Sequence, residues 1–337
     1  MPEKHGRKLL VGKSGINRRS SKCSINAMHQ LAIVIPAYKS VFLAKTLESL
    51  AAQTSHAFNV YIGNDAGDGR IEDVVNSYID RLNICYHAFD SNLGSVSLVR
   101  QWQRCFALTQ GEQWLWLLPD DDYIDPQCVE NFYRNLEKAD FDLFRFNVHF
   151  VTTEGVVFKS NPPLPPVQDA FESLMEKLSF LRPSTVAEYI FRREKFEQFG
   201  FAEIPLAWGS DDLLWYRIGK EKGICSDNAA FVYLRQSHLN ISNNYSDLAS
   251  KKVQANFWFF KELLHSSEFK IDCIDMEKRR RFEQTALTHI MFNLQDFSIK
   301  LSGKKILKFA IKGNEIWGGG VIRNIRRFYL NNKRISN

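Results

Sequence analysis

The sequence lacks the features that mark a membrane-spanning, secreted or metal-thiolate protein. No run of apolar residues approaches the length of about 18 that a transmembrane helix needs. Residues 1–29 are basic but contain no apolar segment of the kind found in secretory signals, so we expect a cytoplasmic protein. The six cysteines never occur as Cys-x-x-Cys and lie within apolar patterns, which favours reduced core thiols over disulfides or a zinc site.

Charge is abundant but unevenly placed along the 337 residues. The net charge of +6 hides two basic ends: residues 1–29 carry seven basic side chains against one acid, and residues 300–337 carry ten against one. Residues 30–299 therefore have a net charge of −9. Neither end combines its charge with the clustered aromatic and base-reading residues of a nucleic-acid interface, so we expect no nucleic-acid partner.

The basic C-terminal end interleaves its charges with large apolar residues between positions 306 and 330. This pattern is typical of a helix that lies at the surface of an anionic membrane. It also fits a C-terminal helix packed on the protein body, and the sequence leaves both alternatives open. A peripheral membrane contact through this end is therefore one expectation.

From residue 31 onward, short apolar runs alternate with amphipathic helical segments. Four runs have the length of buried strands: residues 31–35, 58–62, 82–88 and 114–118. Because parallel strands need helical crossovers, this alternation predicts an α/β fold with a mixed, mainly parallel sheet flanked by helices. The predicted organisation is a disordered basic arm, an α/β domain and a helical, basic extension, at residues 1–29, 30–245 and 246–337.

Polar clusters follow the four predicted strands at their carboxyl ends. They comprise Tyr38 with Lys39, Asn64 with Asp65, residues 92–94 and residues 120–122. Parallel strands present their carboxyl ends at one edge of the sheet, and the ligands of such sheets bind beyond that edge. The four clusters are therefore predicted to converge on one binding site.

Three consecutive carboxylates, Asp120, Asp121 and Asp122, come directly after the apolar run that ends at residue 118. Adjacent carboxylates repel and raise one another's pKa, so a compensating positive charge is expected. Mg²⁺ and Mn²⁺ take one or two protein carboxylates together with substrate phosphates, which fits this position. The alternative is a solvated acidic turn that caps a helix.

Two further acids, Asp211 and Asp212, stand at the start of a helix predicted over residues 210–222. An acid there is either a helix cap, stabilised by free N–H groups, or a general base for a hydroxyl. Two other residues are ambiguous by themselves. Arg100 suits a salt bridge or a phosphate contact, and His238 is either an ordinary packed or surface histidine or a functional one.

Taken together, these stretches resemble the family 2 glycosyltransferases of the GT-A fold over about residues 30–245. The motifs that carry the resemblance occur in a fixed order: Ile33-Val-Ile-Pro36-Ala-Tyr38, Leu47 to Thr54, Ile62 to Asp68, Asn92-Leu-Gly94 with Val99-Arg100-Gln101, Asp120 to Asp122 with Pro126, Trp208 to Arg217, and Tyr233 to His238. Their ordered co-occurrence is more specific than any single motif.

The resemblance implies a donor-binding role for several matching residues. Tyr38 would stack on the nucleotide base beside Pro36 and Ala37, and Asp65 would hydrogen-bond that base. The rest of the implied nucleotide-sugar-binding set is Arg100, Asp120, Asp121 and Arg235.

The resemblance also implies a metal site and a catalytic base. The ligands of the divalent metal, Mg²⁺ or Mn²⁺, would be Asp120, Asp122 and His238, with Asp121 in reserve. Asp211 would be the general base, and Asp212 is the alternative.

The activity implied by the resemblance is transfer of a sugar from a nucleotide-diphosphate donor, UDP-linked or similar, with inversion at the anomeric carbon. The acceptor would be a hydroxyl of a glycan or of a polyprenyl-linked saccharide. Bacterial surface polysaccharide assembly at the inner face of the cytoplasmic membrane would fit this chemistry.

Two other functions compete with this reading of the sequence. A nucleotidyltransferase would usually have a glycine-rich phosphate loop after the first strand, where this chain has Pro36, Ala37, Tyr38 and Lys39. A non-catalytic nucleotide-sugar or glycan-binding module would be expected to have lost its acids, yet both acidic clusters are present.

Overall fold

A computed structural model describes residues 21–237 and 248–296. Within these residues one sheet contains eleven strands: β1 (Ser21–Cys23), β2 (Leu31–Ala37), β3 (Phe58–Asn64), β4 (Ile84–Ala88), β5 (Trp114–Leu117), β6 (Tyr123–Ile124), β7 (Leu143–Val151), β8 (Val157–Ser160), β9 (Val167–Gln168), β10 (Tyr189–Arg192) and β11 (Ile224–Arg235). The helices are α1 (Leu43–Ala51), α2 (Arg70–Asn76), α3 (Leu98–Phe106), α4 (Cys128–Leu136), α5 (Ala170–Leu178), α6 (Arg193–Phe199), α7 (Ser210–Ile218), α8 (Ala249–His265), α9 (Ser267–Asp272) and α10 (Met276–Asp296).

The centre of the sheet is parallel, in the spatial order β4-β3-β2-β5. Side chains along β2 alternate between two cores, as a strand covered by helices on both faces requires. Ile33 packs in the core that contains α1, whereas Val34 packs in the core that contains α3 and α7. The predicted α/β fold with a mainly parallel central sheet is confirmed.

The other half of the sheet runs β5-β10-β7-β11-β6, and β10 is antiparallel to both of its neighbours. β11 pairs parallel with β7 over most of its length, with an irregularity between Asp227 and Phe231. Because β6 pairs with β11, the carboxyl end of β11 reaches the acidic cluster. The backbone N–H of Arg235 donates to Asp122 Oδ1 at 2.9 Å.

Residues 21–29, which the sequence assigns to the basic arm, belong in part to the sheet. Strand β1 pairs antiparallel with β4, and this register places Cys23 opposite Cys85. The two cysteines form a disulfide, so the expectation that all six are reduced is wrong for this pair. The pairing joins residues 62 positions apart, and it depends on a strand contact that local sequence patterns do not reveal. Residues 1–20 lie outside the described residues.

Helices α8, α9 and α10 pack against the α/β body through an apolar cluster of their own. Phe260, Phe282 and Ile290 meet Phe171 of α5 and Leu213 of α7 in this cluster. None of the helices in the described ranges is long and apolar enough to cross a membrane. The segment 306–330, the expected membrane contact, lies outside the described residues.

Candidate functional site

A cavity of about 820 Å³ opens at the carboxyl ends of the parallel strands. Residues from the loops after β2, β3, β4 and β5 line it, namely Tyr38, Asp65, Gly94 and Asp120. The predicted convergence of the four polar clusters is therefore confirmed. The remaining wall comes mainly from α3, α5, α7, α8, α10, the end of β11, residues 183–187 and the loop before α7.

Asp120 connects the loop after β5 to the loop after β2. Its Oδ2 accepts hydrogen bonds from the backbone N–H groups of Tyr38, at 2.7 Å, and Lys39, at 2.9 Å. The Thr46 hydroxyl on α1 donates to the carbonyl oxygens of Asp120 and Asp122. Asp120 therefore holds the segment that presents the Tyr38 ring, which is 46% exposed.

The three consecutive carboxyl groups share a crowded environment. Burial raises the pKa of Asp120, and burial together with the Asp120 charge raises the pKa of Asp121 to about 7. The pKa of Asp122 is well above its usual value because of burial and the Asp121 charge. Lys39 and Arg235 oppose the rise at Asp121 without cancelling it.

This excess of carboxylates fits a divalent cation that completes its coordination with substrate phosphates. Asp121 is the residue best placed to hold it and Asp122 the second, because Asp120 Oδ2 already accepts from two backbone N–H groups and Asp122 Oδ1 from one. Within residues 21–237 and 248–296, no group of three His, Cys, Asp or Glu side chains could hold a metal without such help. His238, the third predicted ligand, lies outside the described residues.

Asp211 and Asp212 lie in the first turn of α7, where they line the same cavity. The N-cap position belongs to Gly209, which has no side chain, so Asp211 is not the capping residue. Burial and the charge of Asp212 together raise the pKa of Asp211 to about 7, although the charge of Lys177 opposes the rise. A carboxyl group with this pKa is well suited to accept a proton near neutral pH.

Lys177, on α5, is the cation that faces this acid pair. Its Nζ lies 3.3 Å from Asp212 Oδ2 and donates to the carbonyl oxygen of Ser184 at 2.8 Å. Burial alone would lower the pKa of Lys177, but Asp212 and Asp211 hold that pKa above its usual value. The ion pair with Lys177 gives Asp212 a partner and leaves Asp211 as the more available proton acceptor.

The loop that leads into α7 has an unusual backbone. Leu206 and Ala207 have φ values of 61° and 54°, in the left-handed region that side chains disfavour, and Gly209 has a φ of 87°. A Cβ atom at Gly209 would also lie 2.8 Å from Cδ2 of Phe259 on α8. Backbone strain of this kind is typical of segments that hold a functional side chain in place, here Asp211.

Comparisons with known proteins agree with this geometry. The model of the family described as Glycosyl transferase family 2 matches residues 32–199. The chain belongs to glycosyltransferase family 2. A comparison with curated protein sequences finds no match.

Solved structures share the fold of this family 2 chain. S. aureus TarS is 15% identical with a TM-score of 0.65, over 90% of this chain and 54% of the TarS chain. The TarS 1-349 structure in complex with UDP-GlcNAc is 15% identical with a TM-score of 0.64, over 91% of each chain. The mannosyltransferase PcManGT from Pyrobaculum calidifontis, in complex with GDP-Man and Mn²⁺, is 12% identical with a TM-score of 0.52, over 91% of this chain and 88% of that one. At these identities the likeness establishes the fold, and the predicted GT-A fold is confirmed; this chain spans just over half of the longer TarS chain.

Most residues that the family resemblance points to meet in the cavity. Those that line it are Pro36, Ala37, Tyr38, Asp65, Asp120, Asp121, Asp122, Asp211, Asp212 and Arg235. The guanidinium of Arg235 is directed to backbone carbonyls, including that of Asp121 at 3.1 Å and that of Thr152 at 3.2 Å. Arg235 therefore braces the acidic loop as well as lining the cavity.

Among the predicted residues that the structure describes, Arg100 is the exception. Its Nε lies 3.3 Å from Glu203 Oε2, and it does not line the cavity. The salt-bridge alternative therefore describes Arg100, and its predicted donor contact has no support in this geometry. Arg104, one helical turn later, instead donates through Nη2 to Asp65.

Asp65 is held by the loop after β4 as well as by Arg104. Its Oδ1 accepts from the backbone N–H of Leu93 at 2.7 Å, and its Oδ2 accepts from that of Gly94 at 2.8 Å. A Cβ at Gly94 would lie only 2.6 Å from Asp65 Oδ2, so glycine permits this close approach. The carboxylate of Asp65, predicted to recognise the nucleotide base, is thus held by three separate hydrogen-bond donors.

Polar contributors to the cavity that the sequence did not reveal include Lys177, Asn256, His289 and Asn293. A lysine in the last turn of a helix is ordinary, because it complements the helix dipole. Asn256 and His289 lie in helices whose sequences show no motif. Only the packing of α8 and α10 on the α/β body brings these two residues to the cavity.

Proposed function

We propose that this protein is an inverting glycosyltransferase that uses a nucleotide-diphosphate sugar and a divalent metal, Mg²⁺ or Mn²⁺. One observation carries the proposal: a single cavity contains the acidic cluster at residues 120–122 and the Asp211 carboxyl group. The cluster suits a metal with the donor phosphates, and Asp211 suits deprotonation of an acceptor. The complexes of the structural relatives with UDP-GlcNAc and with GDP-Man and Mn²⁺ support the donor class.

In the proposed reaction, Asp211 accepts the proton of the acceptor hydroxyl as its oxygen bonds to the anomeric carbon of the donor sugar. The bond from that carbon to the diphosphate oxygen breaks, and the electron pair leaves with the nucleoside diphosphate. A single displacement of this kind inverts the anomeric configuration and needs one base. A divalent metal held by Asp121 and Asp122 would offset the charge of the departing diphosphate.

The remaining parts of the donor site follow from the loops. Tyr38 offers an exposed ring for stacking on the nucleotide base, and Asp65 lies in the same cavity to recognise the base. We propose a glycan or polyprenyl-linked acceptor, as in surface polysaccharide assembly. The basic C-terminal end would provide a peripheral membrane contact at the cytoplasmic face.

The test is a screen of UDP- and GDP-sugars for release of nucleoside diphosphate by the full chain, with EDTA and with added Mn²⁺ or Mg²⁺. We expect release with at least one donor, loss of release in EDTA and recovery on adding metal. Nucleotide binding without turnover would favour a binding module, and release of pyrophosphate from a nucleoside triphosphate would favour a nucleotidyltransferase.

A pair of matched variants tests whether Asp211 is the general base. Asp211→Asn should lower transfer at least 100-fold while nucleoside-diphosphate affinity changes less than about threefold. Asp169→Asn is the control, because Asp169 is a true N-cap, bonded to the backbone N–H groups of Phe171 and Glu172 on α5. Asparagine caps helices well, so this control should retain its stability and activity. Transfer by Asp211→Asn at near the wild-type rate would rule out Asp211 as the base.

A further inference from the structure

The wall formed by α8 and α10 contains a group of polar side chains that the donor chemistry does not use. Asn256, His289 and Asn293 line the cavity and are 3%, 7% and 6% exposed. Burial of three polar side chains in an otherwise apolar helical cluster is costly unless their hydrogen-bonding groups find partners.

Asn256 has a donor without a partner. Its Nδ2 is buried and makes no hydrogen bond with any of the described residues. A buried donor left in this state destabilises the folded protein, because it gives up the hydrogen bond that it makes with water in the unfolded chain. A ligand that supplies an acceptor at this position would remove that cost.

His289 supplies an acceptor of fixed orientation. Its Nδ1 lies 3.0 Å from the carbonyl oxygen of Leu178, and a carbonyl can only accept, so Nδ1 carries the proton. The ring also stacks on Phe180 with 4.7 Å between ring centroids. Burial, with a smaller contribution from the charge of Lys177, lowers the pKa of His289 to about 4, so the ring is neutral at physiological pH and Nε2 is an acceptor.

Asn293 completes the group with a second acceptor. Its Nδ2 donates to the backbone carbonyl of His289 at 2.9 Å, which leaves Oδ1 as the group available to a ligand. The three side chains together thus offer one donor and two acceptors without net charge. Lys177, the cation whose charge acts on His289, is already paired with Asp212.

We propose that Asn256, His289 and Asn293 form the subsite for hydroxyl groups of a neutral acceptor sugar. Sugar hydroxyls both donate and accept, which matches the group, whereas a phosphate or carboxylate would find Lys177 already paired with Asp212. The donor-binding residues lie on the loops after the strands, and this subsite lies on the helical wall beside Lys177 and the acid pair. The inference rests on the proposed function in one respect, namely that Asp211 deprotonates this acceptor.

The decisive variant is Asn256→Leu, which keeps the approximate volume and removes the unpartnered donor. Because that donor bonds to no described residue, its removal should leave the unfolding midpoint in urea unchanged or raise it. Asn147→Leu is the matched control for burial. Asn147 is also 3% exposed, but its Nδ2 donates to the Pro162 carbonyl at 3.1 Å, so this variant should be destabilised.

The probes are the methyl glycosides of glucose, galactose, mannose and N-acetylglucosamine. Saturation-transfer NMR should detect binding of at least one glycoside to the full-length wild-type protein, with affinity reduced at least tenfold in Asn256→Leu. With a donor that the enzyme hydrolyses, the same glycoside should accelerate diphosphate release. The ratio of transfer to hydrolysis should fall about tenfold in the variant through a higher KM for the glycoside.

Three results would overturn the subsite. In the first, none of the glycosides binds the wild-type protein. In the second, Asn256→Leu binds the glycoside with the same affinity as the wild type. In the third, Asn256→Leu raises the KM for the donor and leaves the KM for the glycoside unchanged. The last result would assign the hydroxyl contacts to the transferred sugar of the donor. Because glycoside binding needs no turnover, absence of donor hydrolysis would contradict the proposed function separately from the subsite.

Discussion

Replacement of Gly209 by alanine tests whether the strained loop before α7 holds Asp211, the proposed general base, in place. Two separate costs can be worked from the structure. A left-handed φ of 87° costs an L-residue about 1–2 kcal/mol. The new Cβ would lie 2.8 Å from Phe259 Cδ2, well inside the optimal carbon–carbon separation of about 3.5–4.0 Å, and such overpacking costs about 1–3 kcal/mol. The expected loss of unfolding free energy is therefore about 2–5 kcal/mol.

Gly155→Ala separates the two costs. Gly155 has nearly the same φ, 88°, but a Cβ there would meet only the Tyr123 hydroxyl at 3.6 Å, an ordinary contact. This variant should lose only about 1–2 kcal/mol, so the difference between the two variants measures the clash with Phe259. Urea unfolding followed by circular dichroism gives both values.

Activity provides the second measurement on the same pair of variants. Gly209 lies two residues before Asp211, and a shift of about 1 Å in a reacting group can cost roughly 100-fold in rate. We expect Gly209→Ala to reduce transfer at least tenfold under conditions where the protein remains folded, and Gly155→Ala to stay within threefold of wild type. Equal stability losses together with equal activities would refute the role assigned to the loop.

Three further predictions concern pH, donor binding and thiols. Transfer should decline about tenfold per pH unit below pH 7, because Asp211 must be ionised to accept a proton and its pKa is raised to about 7; initial rates that stay constant between pH 5.5 and 8 would contradict this. Arg104→Ala should weaken nucleoside-diphosphate binding roughly tenfold by freeing Asp65, and Arg100→Ala should change it less than twofold, as measured by calorimetry. Alkylation followed by mass spectrometry should leave Cys23 and Cys85 unmodified in unfolded, non-reduced protein, and labelling of all six cysteines would show that the disulfide is absent.

The parts of the fold that depend on local pattern could be predicted from the sequence. Strands β2 to β5 are short apolar runs, and residues placed directly after them had to meet at one edge of the sheet. This reasoning located Tyr38 and the acids at residues 120–122 without a structure. The two acids in the first turn of α7 were also recognisable as candidates. The sequence could not distinguish a helix cap from a general base, and that distinction needed the backbone conformation around Gly209.

Features that depend on contacts between distant segments could not be predicted. Arg100 and Arg104 are one helical turn apart on α3, so the sequence cannot say which of them reaches Asp65. The disulfide joins a strand outside the expected domain to one within it. Lys177 reaches Asp212 only because α5 packs beside α7 in the folded protein.

The packing of α8 and α10 on the body has a consequence for the synthesis of the protein. The ribosome makes the N-terminal part of the chain first, so the residues proposed to hold the donor are present well before the last wall of the cavity. At about 5–20 residues per second, the segment from residue 245 to residue 296 takes roughly 3–10 s to make. During that interval Phe171 and Leu213 lack the apolar partners that bury them in the complete protein. A truncated chain that ends near residue 245 should therefore aggregate and release little active enzyme, even though it contains all the acids of the site.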